Sequence, residues 1–169
     1  MPQKTLTIVR HAKSSWKNAS LSDRERPLNK RGKRDAPIMG GRIDAAGIRP
    51  SLIISSPAVR AFRTAKIVAM QLNYPYEFLQ REKDLYLASL DTIIDVVGAQ
   101  DEKFNSLMLF GHNPGLTDFA NYLVPGLTNN LPTAGVVSVN FEADDWSLWN
   151  RPDIELVLHD WPKKDSNEA

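Results

Sequence analysis

Apolar runs that end in turn residues alternate along this chain with longer segments of helical periodicity. Three of these runs predict buried strands, at residues 4–10, 51–55 and 106–111. Four other segments predict helices, at residues 30–46, 58–72, 90–97 and 116–123. In the second helix, Phe62, Ala65, Ala69 and Leu72 form one apolar stripe. Alternating strands and helices are typical of an α/β fold, so we predict a three-layer α/β/α sandwich with a mostly parallel sheet.

Two further apolar runs, at residues 136–141 and 154–159, predict strands near the C-terminus. A polar link that contains Asp144, Asp145 and Asn150 separates them. A short polar link favours antiparallel pairing, and antiparallel strands commonly lie at the edge of an otherwise parallel sheet. We therefore predict antiparallel edge strands.

Length and composition favour one domain. The chain has 169 residues, of which 42% are hydrophobic, and this is enough for one sizeable core. We expect a single domain over residues 1–161 and a flexible tail over 162–169. Residues 14–29 lack clear periodicity, and a loop of that length is more often functional than idle. This loop is a candidate cover for a pocket.

Composition excludes several classes of protein. The chain has no cysteine, which excludes disulfide scaffolds, cysteine nucleophiles, zinc ribbons and iron–sulfur clusters. No apolar run approaches the roughly 18 residues needed to cross a bilayer, and the first ten residues lack a small-residue cleavage site. We therefore expect a soluble, cytoplasmic protein with no membrane partner.

Charge is divided unevenly along the chain. The formal net charge is +1, far from that of a dedicated nucleic-acid binder. Residues 1–66 hold 15 Lys and Arg against 4 Asp and Glu, whereas residues 67–169 hold 6 against 16. The first part suits an anionic ligand, and a solvated basic face is the alternative. Aromatic residues are not interleaved with the basic residues of 24–34, so we predict no nucleic-acid partner.

Two of the three histidines follow predicted strands. Arg10 and His11 come after the first strand, and His112 comes after the strand that ends at Gly111. Ligands of α/β folds collect at the carboxyl ends of parallel strands, so we expect these side chains to lie close together. For each histidine alone, a capping or loop role is the alternative. His159 is remote from them and is expected to have a structural or surface role.

A helix start is predicted at the same edge of the sheet. Ser55 ends a strand, while Ser56 and Pro57 suit the N-cap and the first helical position. Free backbone N–H groups at such a start favour an anion. Arg60 in the first turn opposes the helix dipole, which indicates an anionic partner nearby. A surface salt bridge is the alternative for Arg60.

These residues resemble the motifs of the histidine phosphatase superfamily, which has the phosphoglycerate mutase-like fold. Arg10-His11-Ala12 is similar to the Arg-His-Gly signature of the family, with alanine in place of glycine. Three more segments resemble family motifs, at residues 23–32 (DRERPLNKRG), 56–65 (SPAVRAFRTA) and 111–112 (GH). The resemblance covers residues 4 to about 124.

The short chain is similar to the SixA-type phosphohistidine phosphatases within that superfamily. Mutase and fructose-bisphosphatase members are generally longer. Residues 10–16 (RHAKSSW), 26–32 and 84–89 (DLYLAS) resemble segments of SixA-type proteins. The resemblance implies a hydrolase that works through a phosphohistidine intermediate, without metal or organic cofactor. It implies a phosphorylated substrate, with phosphohistidine on a protein as the favoured class.

The chemistry of the residues agrees with this implication. A neutral imidazole at His11 can attack phosphorus in line and carry the phosphoryl group. Arg10 and Arg60 can hold the phosphoryl oxygens in forked contacts, with His112 as a third donor. Adjacent arginines lower the pKa of His11 and so keep the ring neutral. No activating base is then required.

The resemblance also implies a carboxylic acid that protonates the leaving group. Asp84 is the best positional match and Glu82 is the reserve, although the family usually has glutamate here. A solvated loop carboxylate is the alternative for either residue. Arg26, Ser56 and Asn113 are further candidates for substrate binding, with surface or supporting roles as the alternative.

Other functions stay open at this point. A phosphatase or phosphomutase that acts on a small phosphorylated metabolite would use the same residues. A non-catalytic module that binds phosphorylated ligands is a rival from another class, suggested by Asp84 and Ala12. The sequence does not predict the oligomeric state.

Overall fold

Six strands form one mixed sheet, in the spatial order β3-β2-β4-β1-β5-β6, in the computed structural model, which describes residues 1–164. In chain order the strands are Gln3–Arg10 (β1), Leu52–Ser55 (β2), Gln80–Arg81 (β3), Ser106–Gly111 (β4), Val136–Glu142 (β5) and Glu155–Asp160 (β6). The first four are parallel where they pair, whereas β5 runs antiparallel to β1 and β6 antiparallel to β5. The carboxyl ends of β1, β2 and β4 therefore meet at one edge.

Four helices cover the two faces of the sheet: Lys30–Ala45 (α1), Val59–Gln71 (α2), Leu90–Gly98 (α3) and Gly115–Leu123 (α4). Strand β4 lies between the two layers because its successive side chains point to opposite faces. Leu107 and Leu109 pack in a core with α3 and α4, whereas Met108 and Phe110 pack in a second core with α1 and α2. The predicted three-layer α/β/α sandwich is confirmed.

The sequence predicted every helix and five of the six strands, with bounds that differ by a few residues. Strand β3 was missed because Gln80 and Arg81 are polar and exposed, so they carry no apolar pattern. Of the two strands predicted at the antiparallel edge, β6 forms the edge and β5 lies one position inside it. Short 3-10 helices that periodicity did not indicate include Asp23–Glu25 and Lys83–Leu85.

The predicted loop over residues 14–29 folds back on the chain that follows β1. Ser14 forms an isolated antiparallel bridge with Leu28. Asn29 caps α1, because its side chain accepts a hydrogen bond from the backbone N–H of Gly32 at 2.9 Å. A Cβ added to Gly32 would lie 2.1 Å from the carbonyl oxygen of Lys13, so only glycine allows this approach. The loop is thereby held beside His11.

Chain beyond β6 remains attached to the domain. Arg42 of α1 donates a hydrogen bond to the carbonyl of Trp161 at 2.9 Å. The tail predicted at 162–169 falls mostly on residues 165–169, which lie outside the described residues. Within residues 1–164, none of the helices has the length and apolar character needed to cross a membrane.

Candidate active site

The two predicted histidines lie side by side at the carboxyl edge of the sheet. The parallel register of β1 with β4 places Arg10 opposite Gly111, so the residues that follow each strand are neighbours. The backbone N–H of His11 donates to the carbonyl of Gly111 at 3.1 Å. The rings of His11 and His112 are 5.3 Å apart between centroids, and both side chains are buried. The predicted proximity is present in the structure.

The hydrogen bonding of His11 defines which ring nitrogen is free. Nδ1 lies 2.8 Å from the carbonyl oxygen of Ala12, and a carbonyl only accepts, so Nδ1 is the donor. The neutral ring then has an unprotonated Nε2. Burial is the largest cause that lowers the pKa of His11 to about 4; the Ala12 hydrogen bond opposes the shift, and the charges of nearby arginines contribute to it. His11 is therefore neutral at ordinary pH, with a lone pair on Nε2.

His112 is held between a guanidinium and a hydroxyl. Arg60 Nη2 lies 3.4 Å from Nδ1 of His112, and Ser56 Oγ lies 2.7 Å from Nε2. Because a guanidinium only donates, Nδ1 of His112 accepts, and Nε2 carries the proton that goes to Ser56. Burial, followed by the charges of His11 and Arg60, lowers the pKa of His112 to about 3. Ser56, predicted as a substrate-binding residue, thus orients His112.

The predicted N-cap at Ser56 and first helical position at Pro57 are wrong, because α2 begins at Val59 with Ala58 as its N-cap. The Ser56 hydroxyl instead accepts a hydrogen bond from the backbone N–H of Ala58 at 3.2 Å, just before the helix that carries Arg60. Arg60 lies in the first turn of α2 and is only 3% exposed. The helix dipole at this end is positive, so a buried arginine here needs a compensating anion.

Asp23 supplies that negative charge, and the sequence did not single it out as a site residue. Arg60 donates to the backbone carbonyl of Asp23 at 2.6 Å and to its Oδ2 at 2.9 Å. Arg26 donates to the other carboxylate oxygen at 2.8 Å. The Tyr86 hydroxyl donates to Oδ2 as well. Asp23 therefore joins the loop, α2 and the segment before α3.

These donors keep Asp23 ionised. The Tyr86 hydrogen bond is the largest influence, and with Arg60 and Arg26 it lowers the pKa of Asp23 to about 2. The ring of Tyr86 also contacts His112 edge-on, with centroids 5.5 Å apart. The aspartate at position 23 belongs to the segment 23–32 that resembles a family motif, and that membership was the available sequence signal.

Arg26 is buried beneath an exposed indole. Its Nε donates to the carbonyl of Ser15 at 3.2 Å, and its Nη2 donates to the Ser14 hydroxyl. Its guanidinium lies 3.2 Å from the ring centroid of Trp16, which is 74% exposed. The charge of Arg26 contributes to the lowered pKa of His11. The extension of the pocket by Arg26 stays a prediction, and in the structure its Nε, Nη1 and Nη2 donate to Ser15, Asp23 and Ser14.

Arg10 has an unused donor. Its Nη1 donates to the carbonyl of Leu131 at 3.0 Å, whereas its Nε is buried and has no hydrogen-bond partner among residues 1–164. Burial is the largest cause that lowers the pKa of Arg10, and the nearby charge of Arg60 adds to it. An oxyanion beside Arg10 would satisfy Nε and offset the repulsion between the two guanidinium groups.

The side chain of Asn113 is occupied by hydrogen bonds to other protein groups. Its Oδ1 accepts from the backbone N–H and the hydroxyl of Thr117, and its Nδ2 donates to the carbonyl of Leu131 at 2.9 Å. It also contacts Asn130. These bonds hold the start of α4 against the segment that receives Arg10. Asn113, predicted to bind substrate, therefore supports the site through the backbone that it anchors.

Asp84, the predicted acid, is exposed in the 3-10 helix Lys83–Leu85. The hydrogen bond that the structure gives it joins its backbone N–H to the Glu82 carboxylate at 3.1 Å. Glu82, the reserve candidate, is thereby the cap of this short helix. Neither carboxylate is hydrogen-bonded to Arg10, Arg60 or the histidines within the described residues.

The gathered groups suit an oxyanion. Arg10, Arg26 and Arg60 are buried or half-buried cations that flank two neutral imidazoles. Across residues 1–164, no three His, Asp or Glu side chains come together as they would around a metal ion. The arrangement offers a nitrogen nucleophile and several N–H donors to one phosphoryl-sized ligand.

Comparison with known proteins agrees with the geometry. The model of the histidine phosphatase superfamily (branch 1) matches residues 6–100. An uncharacterized chloroplastic protein of Arabidopsis thaliana is 30% identical over 151 residues, which are 83% of this chain and 68% of that protein.

Two solved structures show the same fold. The putative phosphohistidine phosphatase SixA of Agrobacterium tumefaciens superposes with a TM-score of 0.81 at 24% identity, over 94% of this chain and 98% of that chain. The protein histidine phosphatase SixA complexed with tungstate superposes with a TM-score of 0.78 at 21% identity, over 98% of this chain and 99% of that chain.

Proposed function

Because this chain belongs to the histidine phosphatase superfamily, we propose that it is a phosphatase in which His11 carries the phosphoryl group. The observation that carries the proposal is the neutral His11 ring, whose Nδ1 donates to Ala12 and whose Nε2 lone pair is free. A neutral imidazole among guanidinium groups is a nucleophile matched to an anionic substrate.

The proposed reaction has two displacements. In the first, Nε2 of His11 forms a bond to phosphorus, and the bond from phosphorus to the leaving group breaks with its electron pair on the leaving group. In the second, a water oxygen bonds to phosphorus, the bond to Nε2 breaks, a proton from water passes to solvent, and inorganic phosphate leaves. The Nδ1–H bond to Ala12 holds the ring and stabilises the positive charge that develops on it.

Arginine side chains would neutralise the phosphoryl group during transfer. Arg10 offers its unpartnered Nε. Arg60 offers the paired N–H groups of a guanidinium that Asp23 already orients. Phosphoryl transfer depends mainly on such positioning and charge neutralisation. His112, held by Ser56, becomes a further donor at Nδ1 if an anion in the pocket raises its pKa.

The favoured substrate is phosphohistidine on a protein. A protonated imidazole leaves phosphorus without help from an acid, whereas an alkoxide needs a proton on departure. The carboxylate in contact with the site arginines is Asp23, and its pKa of about 2 makes it a poor acid near neutral pH. A phosphoramidate substrate therefore suits this set of residues better than an alkyl phosphate.

Asp84 as the general acid stays a prediction. If Asp84 protonates the leaving group, Asp84→Asn slows alkyl phosphate hydrolysis more than hydrolysis of p-nitrophenyl phosphate, which departs without a proton. Glu82→Gln is the parallel variant for the reserve candidate. Equal slowing of both substrates would assign the carboxylate to structure instead.

Turnover of p-nitrophenyl phosphate and of a phosphohistidine peptide tests the function. We expect release of inorganic phosphate from both, and trapping of radiolabelled phosphate on the protein after an acid-free quench. His11→Ala should abolish both while the protein stays folded by circular dichroism. A protein that binds phosphate without turnover would be a binding module, and transfer to added alcohols in preference to water would indicate a mutase.

The mechanism that we propose uses no metal. We expect the hydrolysis rate to be unchanged after treatment with a strong chelator. A loss of activity that is restored by a divalent cation would contradict this mechanism.

A further inference from the structure

Five exposed basic residues lie on the chain between His11 and the first turns of α1, and we call Lys13, Lys17, Arg24, Lys30 and Lys33 the basic rim. Lys13 is two residues beyond His11, and its carbonyl accepts the backbone N–H of Asn29 at 3.0 Å. The close approach of Gly32 to Lys13 brings the start of α1 to the same place. The charges of Lys13, Lys30 and Lys33, from two parts of the sequence, are therefore gathered at one side of the pocket.

Two of the rim lysines lie in the first turns of α1, where positive charge is unfavourable. Lys30 and Lys33 lie one turn apart on the helix, and its first turn contains no acidic residue. Cations at the positive end of a helix dipole destabilise the free helix. An anionic partner would offset that cost.

The acidic residues nearest in sequence do not compensate the rim. Asp23 pairs with Arg26 and Arg60, and the buried Asp35 pairs with Arg31 and Arg34. The Glu25 carboxylate accepts a hydrogen bond from the backbone N–H of Ser22 and forms no ion pair with a described residue. The ammonium groups of the four rim lysines form no hydrogen bond or ion pair with any described residue.

Arg24 extends the rim to the other side of the pocket. Its guanidinium lies 5.0 Å from the ring centroid of Tyr86, whose hydroxyl binds Asp23. This places one rim cation over a residue in direct contact with the site carboxylate. The rim therefore borders the pocket from the side of Lys13 and from the side of Tyr86.

Opposite charge gathers at the far end of β1. A cavity of about 760 Å³ there includes Gln3 in its lining. Five acidic residues line it: Glu142, Asp144, Asp145, Asp153 and Glu155. Gln3 and Arg10 are the first and last residues of β1, and a rise of about 3.3 Å per residue separates them by roughly 23 Å. Charged side chains are therefore separated along the direction of β1: the basic rim lies towards its C-terminal end, beside the active site, and the acidic residues lie towards its N-terminal end.

We propose that the basic rim docks an acidic protein surface that presents the phosphorylated side chain to His11. This inference rests on the proposed function and adds the character of the partner. Charge complementarity supports it, because uncompensated lysines border the pocket while the acidic end points away. The separated charges would also orient an acidic partner during its approach.

Two phosphohistidine peptides of equal length test this proposal, one with glutamates and one with lysines on both sides of the phosphohistidine. We expect kcat/KM at low salt to be at least about tenfold higher for the acidic peptide, and the difference to shrink as salt is added. Equal kcat/KM for the two peptides would overturn the docking proposal.

Lys30→Glu with Lys33→Glu should remove most of the preference for the acidic peptide. Glutamate suits the first turns of a helix, so this double variant is expected to fold. Lys33→Glu alone is matched by Lys103→Glu, which changes net charge equally. Lys103 is exposed in the loop before β4, at the other end of the sheet. An equal loss of preference in both single variants would show that net charge, and not the rim, is responsible.

Hydrolysis of p-nitrophenyl phosphate separates the two proposals. If the wild-type protein fails on this substrate and on both peptides, the proposed function is wrong. If it turns over all three but shows no acidic preference, only the docking proposal is wrong. Stronger inhibition of acidic-peptide hydrolysis by a single-stranded oligonucleotide than by polyglutamate of equal charge would reassign the rim to nucleic acid and would also overturn the docking proposal.

Discussion

At the scale of single residues, the site depends on which ring nitrogens of His11 and His112 are protonated. His11 donates a hydrogen bond from Nδ1–H to the carbonyl of Ala12, and His112 donates one from Nε2–H to the Ser56 hydroxyl. Both rings are buried, and burial is the largest cause of their lowered pKa values. The consequence is a pair of neutral imidazoles in a strongly positive environment.

The two histidines should make stability depend on pH. Their pKa values are about 4 and about 3 in the folded protein, against about 6.5 in an unfolded chain. As pH falls below about 6.5, the unfolded state binds protons that the folded state does not, so the free energy of unfolding decreases. We expect His11→Gln to reduce this decrease between pH 6.5 and 4.5, measured by urea denaturation.

At pH 8 both states are neutral at position 11, so the pH-dependent difference between variant and wild type should be absent there. If the free energy of unfolding falls equally steeply with decreasing pH in both proteins below pH 6.5, the lowered pKa of His11 is contradicted.

We expect Asp23 to affect catalysis through the arginines that it holds. Asp23→Asn should lower kcat for p-nitrophenyl phosphate by about tenfold, because Arg60 and Arg26 lose a charged partner that orients them. Binding of inorganic phosphate should not weaken, since the variant removes a competing negative charge. The split between kcat and the phosphate inhibition constant is the diagnostic measurement.

Glu25→Gln is the control for Asp23→Asn, because Glu25 lies in the same 3-10 helix and its side chain only caps Ser22. Tyr86→Phe removes one hydrogen bond to Asp23 and should give a smaller effect in the same direction. Weaker phosphate binding with unchanged kcat in Asp23→Asn would oppose this role.

At the scale of secondary-structure elements, the ends of strands and the starts of helices build the site. Strands β1 and β4 deliver the two histidines, and α2 delivers Arg60. The start of α1 holds the loop after His11 through the contact of Gly32 with Lys13. Contacts between the ends of these elements therefore fix the positions of the side chains of the candidate site.

Gly32→Ala should destabilise the protein by about 1–3 kcal/mol, because the new Cβ would overlap the Lys13 carbonyl and something must move. Gly41→Ala in the same helix is the matched control, since nothing lies within 4 Å of its added Cβ. That variant should stabilise the helix by about 0.5–1 kcal/mol. Chemical denaturation measures both, and equal effects of the two variants would refute the tight contact at Gly32.

At the scale of the whole molecule, the candidate active site has an excess of positive charge in a protein whose net charge is +1, because Asp23 alone pairs with both Arg26 and Arg60 and Arg10 forms no ion pair with a described residue. The charge of Arg60, after burial, lowers the pKa of Arg10, and the basic rim adds to the positive potential. A ligand that binds the folded state alone stabilises that state by mass action. Oxyanions should therefore stabilise this protein against unfolding.

Inorganic phosphate or tungstate should raise the melting temperature in a concentration-dependent way. At a free anion concentration of a hundred times the dissociation constant, the free energy of unfolding should increase by about 2.7 kcal/mol. Arg60→Met should remove most of this gain. Arg63→Met is the control, because Arg63 is exposed on the same helix. A thermal shift retained in Arg60→Met but lost in Arg63→Met would place the anion on the surface.

Local pattern was enough to predict much of the fold and part of the site. The alternation of elements predicted the three layers, and the positions just after β1 and β4 predicted that His11 and His112 would meet. Arg60 lies at the predicted edge, in contact with His112, although its helix starts at Val59 and not at the predicted Ser56-Pro57. Asp23 and Tyr86 were not predicted, since their contact joins residues 63 positions apart through a loop with no periodicity.

The sequence by itself determined the elements, their layering and the identity of the groups at the strand ends, because periodicity and turn residues act over a few neighbouring positions. Tertiary structure decided which nitrogen of His11 is free and which anion orients Arg60. It also turned Asn113 into a support for α4. Hydrogen-bond partners and burial depend on chain segments brought together from a distance, and these also set the pKa values, so only the folded arrangement specifies them.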